Sequence, residues 1–271
     1  MDSLFTEHIG RRWLAAPLAI WGKLPSHGDF LRHRTTSVQA QDWQDWVSRV
    51  WSRRAQAQAS PRPPRASRRG EPGWMVLEPR HNLSALAQVP VAFVMPAGTM
   101  PGAPRHCVQG VLLASEDQVG RPCPLIIYQQ ITPGWLRHSW SARAEQGENN
   151  MLYWLARIAA RAHGADRSWD DLTRAVDSVW QLHRPGWKQW LGAPLQTPSS
   201  LQLDSVLRQY CEDDSADVAR GLRGVHHMPW VHWPAQILRT DRPGPAFWQQ
   251  DMRGGYINVS DNLPSLWRTR P

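Results

Sequence analysis

The sequence predicts an α/β protein in which a sheet is layered against helices, and three observations carry that reading. Three short, continuous apolar runs, Pro90 to Met95, Cys107 to Ala114 and Pro124 to Ile131, have the length and content of strands covered on both faces. Apolar stripes at helical spacing precede and follow them. Short strand-like segments then return near the C-terminal end, so strands stand on both sides of a helical middle. The 271 residues are 41% hydrophobic and 20% charged, a globular balance. A chain of this length buries roughly 70–75% of its unfolded surface without disulfide staples.

Taken in order, Leu18 to Lys23 reads as an apolar strand leading into Leu24-Pro25-Ser26-His27-Gly28-Asp29, a turn by composition. A helix is expected from Ser37 to Ala57, because Trp43, Trp46, Val47, Val50 and Trp51 recur on one face. It must end before Ser60-Pro61-Arg62-Pro63-Pro64-Arg65. The Pro/Arg stretch over 59–73 suits neither helix nor central strand and is expected to be a flexible surface loop. The three strand candidates follow, separated by the Pro/Gly-rich Pro96 to Pro104 and the turn Ser115 to Gly120. Glu145 to His163 places Leu152, Leu155, Ile158 and Ala162 on one helical face. Ser168, with Asp171 three residues on, resembles a capping box opening a helix that buries Trp169, Leu172, Val176, Val179 and Trp180. A third helix of this part runs from Ser200 to Cys211, and short strands close the chain at Trp230 to Trp233, Ala246 to Gln249 and Tyr256 to Val259. There is no internal repeat.

Composition excludes several classes. No apolar run approaches the roughly 20 residues needed to span a bilayer. The stretch Trp13 to Trp21 is broken by Pro17 and reads as the start of a buried strand, not a signal peptide. Cys107, Cys123 and Cys211 are far apart and form no C-x-x-C pair, which points to a reduced, cytoplasmic setting. The net charge of +8 resembles a nucleic-acid signal, but Arg49, Arg53, Arg54, Arg62, Arg65, Arg68 and Arg69 supply +7 of it within one segment free of acids. The remaining body is nearly neutral. Arg62, Arg65, Arg68 and Arg69, spaced by prolines, make a candidate electrostatic arm for an acidic or phosphorylated partner; an uncommitted surface loop is the plainer reading.

The chemical-looking residues are few. Ser26, His27 and Asp29 invite a hydrolase or transferase reading, but a triad needs the imidazole between hydroxyl and carboxylate, and three residues within four positions of one turn rarely achieve that. Local bonding to backbone is the simpler reading. Gly22-Lys23 lacks the earlier Gly and the following Ser or Thr of a phosphate-binding loop, since Pro17 and Leu24 hold those places. His226, His227 and His232 cluster with Trp230 and Trp233, with Cys211 and Asp217 as further donors, but at no known zinc spacing. No metal or other cofactor is expected. Of the 17 tryptophans, those at helical spacing such as Trp43, Trp46 and Trp51 are most simply core, and exposed ones would be anchors for a protein partner.

The string Gly22-Lys23-Leu24-Pro25-Ser26-His27-Gly28-Asp29-Phe30, followed by a helix carrying Trp43 and Trp46, resembles the N-terminal signature of the TagF (ImpM) family of type VI secretion-associated proteins. Pro90 to Gly98, Gly110-Val111-Leu112, Val119-Gly120-Arg121 and Pro124-Leu125 follow in the family's order, so the signature motifs cover about 18–131. Three features depart: Cys123 stands where the family usually has an aromatic, Thr35-Thr36 where a Leu-Pro pair is common, and the Pro/Arg loop over 59–73 looks like an insertion. The resemblance implies a single domain over 15–271, its part over 132–271 built of helices and short strands. It also implies a three-layer αβα sandwich with a mixed sheet flanked by helices. It further implies a non-catalytic cytoplasmic regulator that represses a type VI secretion system post-translationally. The implied partner is an FHA-domain scaffold, with recruitment to the inner-membrane secretion complex, no stable membrane insertion and no nucleic acid. A catalytic Ser26-His27-Asp29 loop and an arginine-rich nucleic-acid module are the alternatives. The expected protein-binding surface is Lys23, Pro25, Ser26, His27, Gly28, Asp29, Phe30, Gly120 and Arg121. Pro25 fixes φ there, Gly28 supplies backbone freedom and Asp29 bonds the turn.

Overall fold

The computed structural model describes residues 14–58, 89–137, 139, 151–162, 168–185, 244–250, 256–260 and 263. Its strands are β1 (Ala19–Gly22), β2 (Leu31–His33), β3 (Val91–Met95), β4 (Cys107–Leu113), β5 (Leu125–Ile131), β6 (Ala246–Gln250) and β7 (Tyr256–Ser260). Its helices are α1 (Ser37–Gln58), α2 (Met151–Ala162) and α3 (Trp169–His183). The strands form one sheet in the order β2-β1-β5-β4-β3-β6-β7.

The three layers are present, but among the described residues the sheet is not mixed: every pairing there is antiparallel. The mixed sheet was what the family resemblance implied; the continuous apolar runs require only strands covered on both faces. The connections explain the difference. Neither the β3–β4 nor the β4–β5 link contains a crossover helix, so each can only return the chain alongside itself. Burial on both faces comes instead from helices inserted between β2 and β3 and between β5 and β6.

Period-two alternation then divides the core. Ile20, Val94, Val111, Leu113, Leu125, Ile127 and Trp248 face α2 and α3 and pack with Leu152, Leu155, Val176 and Val179. Trp21, Phe93, Met95, Leu112, Ile126, Tyr128 and Phe247 face α1 and pack with Ala40, Trp43 and Val47. Trp43 centres the second layer. Its ring lies 5.1 Å from Tyr128, 5.6 Å from Trp46 and 5.8 Å from Phe93, all edge-on, the arrangement aromatic quadrupoles favour.

The helix ends follow their sequence signals. Thr36 and Gln39 form a reciprocal capping box at α1: the Gln39 amide donates to Thr36 Oγ1 (3.3 Å) and the Thr36 amide to Gln39 Oε1 (3.0 Å). Ser168 Oγ accepts from the Asp171 amide (3.1 Å) at α3, which ends before Arg184-Pro185. The edge strand β2 is tied to α3 through Asp177, which takes His33 Nε2 at 2.9 Å and the Arg34 guanidinium at 2.8 and 3.1 Å.

The Pro/Arg loop with Arg62, Arg65, Arg68 and Arg69, the helix Ser200 to Cys211, the strand Trp230 to Trp233 and the cluster His226, His227 and His232 lie outside the described residues. So do residues 145–150 and His163 of the helix expected over Glu145 to His163.

Candidate functional site

Two segments that carry the resemblance, the long Gly22-to-Phe30 motif and the short Val119-Gly120-Arg121, meet at one corner of the sheet. The loop over 23–30 joins β1 to β2, and the loop over 114–124 joins β4 to β5. Because β1 pairs with β5, the two loops emerge side by side.

Gly22 makes this possible. It has φ of +138°, and a Cβ there would overlap the Pro124 carbonyl oxygen and stand 2.9 Å from Leu125 Cα. Only glycine lets β1 end this close to the backbone entering β5. Lys23 then turns inward. Pro25 follows at the second position of a β-turn closed by the His27 amide on the Leu24 carbonyl (3.0 Å). Phe30 returns to lie 5.3 Å from the Trp21 ring and beneath Lys23 Nζ, 4.8 Å from the ring centroid.

The opposite loop is organised by Asp117, whose side chain is fully buried. Its Oδ1 accepts the Val119 and Arg121 amides (3.1 and 2.9 Å), and its Oδ2 accepts Lys23 Nζ (2.8 Å) and Arg121 Nε (2.6 Å). Gly120, at φ of +84°, closes the turn. Two further bonds stitch the loops together: Arg121 Nη2 donates to the Gly28 carbonyl (2.8 Å), and the Gln118 amide to the His27 carbonyl (3.0 Å).

Burial alone would raise the Asp117 carboxyl. The Lys23 bond, the Arg121 backbone and side-chain bonds and the Lys23 charge outweigh it and hold the group well below the usual carboxylate range. Burial pushes the neighbouring Cys123 thiol up to about 12, with the Lys23 charge opposing and Asp117 adding. Asp117 is thus saturated by Lys23, Arg121 and the Val119 amide, and Lys23 is neutralised by Asp117. Their chemistry is to weld two loops 94 residues apart in sequence.

Lys23, expected on a binding surface, is therefore buried and internal. Pro25, His27 and Phe30 are half-buried, while Ser26, Gly28, Asp29, Gly120 and Arg121 are exposed. Gln118 and Val119, absent from the expected set, complete the exposed rim; Val119 is 72% exposed. Gly28 has neither a positive φ nor a close neighbour, so the conformational demand falls on Gly22 instead. Among the described residues Asp29 makes no hydrogen bond to the turn or to His27. Ser26 Oγ lies 2.9 Å from His27 Nδ1, so two of the three residues meet without the carboxylate a triad requires. Asp117 was legible only as a turn residue three positions before Gly120-Arg121.

Among the described residues no three His, Cys, Asp or Glu side chains are grouped to hold a metal ion, and no helix is long and apolar enough to cross a membrane. No protein-family model matches the sequence, and no curated protein matches it. The chain is similar in structure to PA0076 from Pseudomonas aeruginosa PAO1, known from a crystal structure, at 14% sequence identity over 93% of this chain and 92% of that one, with a TM-score of 0.47.

Proposed function

We propose that this protein is a non-catalytic, cytoplasmic repressor of a type VI secretion system, acting post-translationally by binding another protein, an FHA-domain scaffold of that system. Its recruitment to the inner-membrane secretion complex follows from that partner. The reading rests on the resemblance of Gly22 to Phe30 and Val119 to Arg121 to the TagF family. One observation carries it beyond resemblance: these segments, distant in sequence, are fused into one corner by the Lys23–Asp117–Arg121 network. A buried weld beneath exposed Ser26, Asp29, Val119 and Arg121 is what a rigid recognition surface requires.

Deleting the gene should raise secretion by the system, and overproducing the protein should lower it. Purified protein should retain the FHA-domain scaffold on a column. Val119→Asp should abolish retention and repression together. Secretion unchanged by both deletion and overproduction would overturn the regulatory reading. Repression that survives Val119→Asp would move the contact away from this corner.

A further inference from the structure

On the α1 face of the sheet, away from the corner just described, a cleft runs between α1, β5 and the loop over 96–106. Its outer part is a cavity of about 260 Å³ walled by Pro17, Ala19 and Arg34. Gln39, Tyr128 and Gln130 form a collar shared with an inner niche of about 10 Å³, lined further by Asp42, Trp43 and Met100. The niche is the size of one water molecule.

Asp42 gives the cleft its chemistry. It is 9% exposed, and its Oδ2 accepts the Gly102 amide at 2.7 Å. Among the described residues no Lys, Arg or His pairs with it, and only its Oδ2 is engaged, which leaves Oδ1 as the oxygen open to the cleft. A carboxylate this buried calls for a counter-ion. The roof is built for the contact: a Cβ at Gly102 would overlap Asp42 Oδ2, and the Gly102 carbonyl accepts from Gln130 Nε2 at 3.4 Å. That bond fixes the Gln130 amide with Oε1 left as a second acceptor. Trp43 and Tyr128 add aromatic lining that favours a cation. Arg34, the cation on the outer wall, is neutralised by bidentate pairing with Asp177. Among the described residues the uncompensated charge facing the cleft is therefore negative.

A hydrated or hard metal ion needs six or more oxygen ligands, more than this niche offers. A primary ammonium needs few acceptors, is water-sized and arrives on a narrow stem that the outer cavity accommodates. We propose that this cleft binds a primary ammonium group through Asp42, with Gln130 Oε1 as second acceptor and the alkyl stem lying in the outer cavity. The source is either a small free amine or a lysine side chain of a protein. The site is independent of the regulatory reading and stands or falls without it.

The test uses the full chain and n-butylamine, with n-butanol as the neutral isostere and Nα-acetyl-lysine amide as the protein-like ligand. The Gly102 amide resonance is the reporter, since its N–H touches Asp42. Butylamine should move it saturably and butanol should not. Asp42→Asn, which keeps an acceptor for Gly102, should weaken butylamine by about tenfold or more, as expected when a charge-assisted bond becomes neutral. Response to the lysine derivative as well assigns the site to protein lysines, and response to butylamine alone assigns it to free amines; both support the proposal. No saturable shift with either amine, an equal response to butanol, or equal affinity in Asp42→Asn overturns it. The butanol comparison needs no variant, so a misfolded Asp42→Asn would not rescue the idea.

Discussion

Two glycines within one nine-residue motif should respond oppositely to the same substitution. At Gly22 an alanine Cβ would land on the Pro124 carbonyl oxygen and press against Leu125 Cα. Both are backbone atoms of a central connection, with no flexible side chain to swing aside. Overpacking of this kind costs about 1–3 kcal/mol, and holding a non-glycine residue at φ of +138° adds about 1–3 kcal/mol. The combined loss of about 2–6 kcal/mol, at about 2–4 °C per kcal/mol for a chain near this size, lowers the melting temperature by roughly 5–20 °C. At Gly28 an added Cβ meets nothing within 4 Å and φ is not in the positive range. Gly28→Ala should therefore be neutral or stabilise by up to about 1 kcal/mol, through reduced unfolded-state entropy. Thermal and urea unfolding of the two variants against the parent chain decide the matter. Equal effects, or a larger loss at Gly28, would refute the close approach of β1 to β5 on which the corner is built.

Other outcomes follow from the same geometry. Because the native state holds Asp117 below its ordinary 3.8, the unfolded chain takes up the proton first. The stabilisation is complete above about pH 4 and is lost as pH falls below it toward the native value, so the urea-midpoint gap between the parent and Asp117→Asn should be widest at pH 7 and narrow at pH 3; a gap that widens in acid would contradict the pairing. Trp43→Ala removes the centre of the aromatic layer and should cost about 3–5 kcal/mol, measured by urea unfolding. With its thiol near 12, Cys123 should resist a thiol-labelling reagent at pH 8 in the folded protein and react on unfolding, scored in a Cys107→Ser, Cys211→Ser background that leaves it the one cysteine.

Local signals were legible where chemistry is local. The start of α1 after Thr36, the Ser168 cap and the runs that became β3, β4 and β5 all follow from period and capping residues. Strand direction was not legible, because a strand covered on both faces has the same composition in a parallel or an antiparallel sheet; only the missing crossover helices distinguish them. The short strand β2 was missed because Leu31-Arg32-His33 has no apolar pattern and is held by pairing with β1. At the corner, the motif drew attention to Lys23 and Arg121. What joins them is Asp117, which looks like any turn aspartate until burial places it between two cations.

The buried and exposed halves of this corner make different experimental demands. Arg121 is 61% exposed, yet its Nε and Nη2 are spent on Asp117 and the Gly28 carbonyl, so truncating it would disturb the weld and the surface at once. Lys23 and Asp117 would disturb only the weld. Val119 separates the two: its backbone amide serves Asp117, while its side chain is directed to solvent at 72% exposure. Val119→Asp keeps the amide and leaves the Asp117 bonds in place, so stability should change by no more than about 0.5 kcal/mol, as at ordinary surface sites. An apolar contact replaced by a carboxylate at the centre of a protein interface loses packing and acquires a desolvation cost. Lost partner retention with an unchanged melting temperature would place the contact on this tip. Retention lost only in proportion to a fall in melting temperature would mean that the corner serves the fold alone.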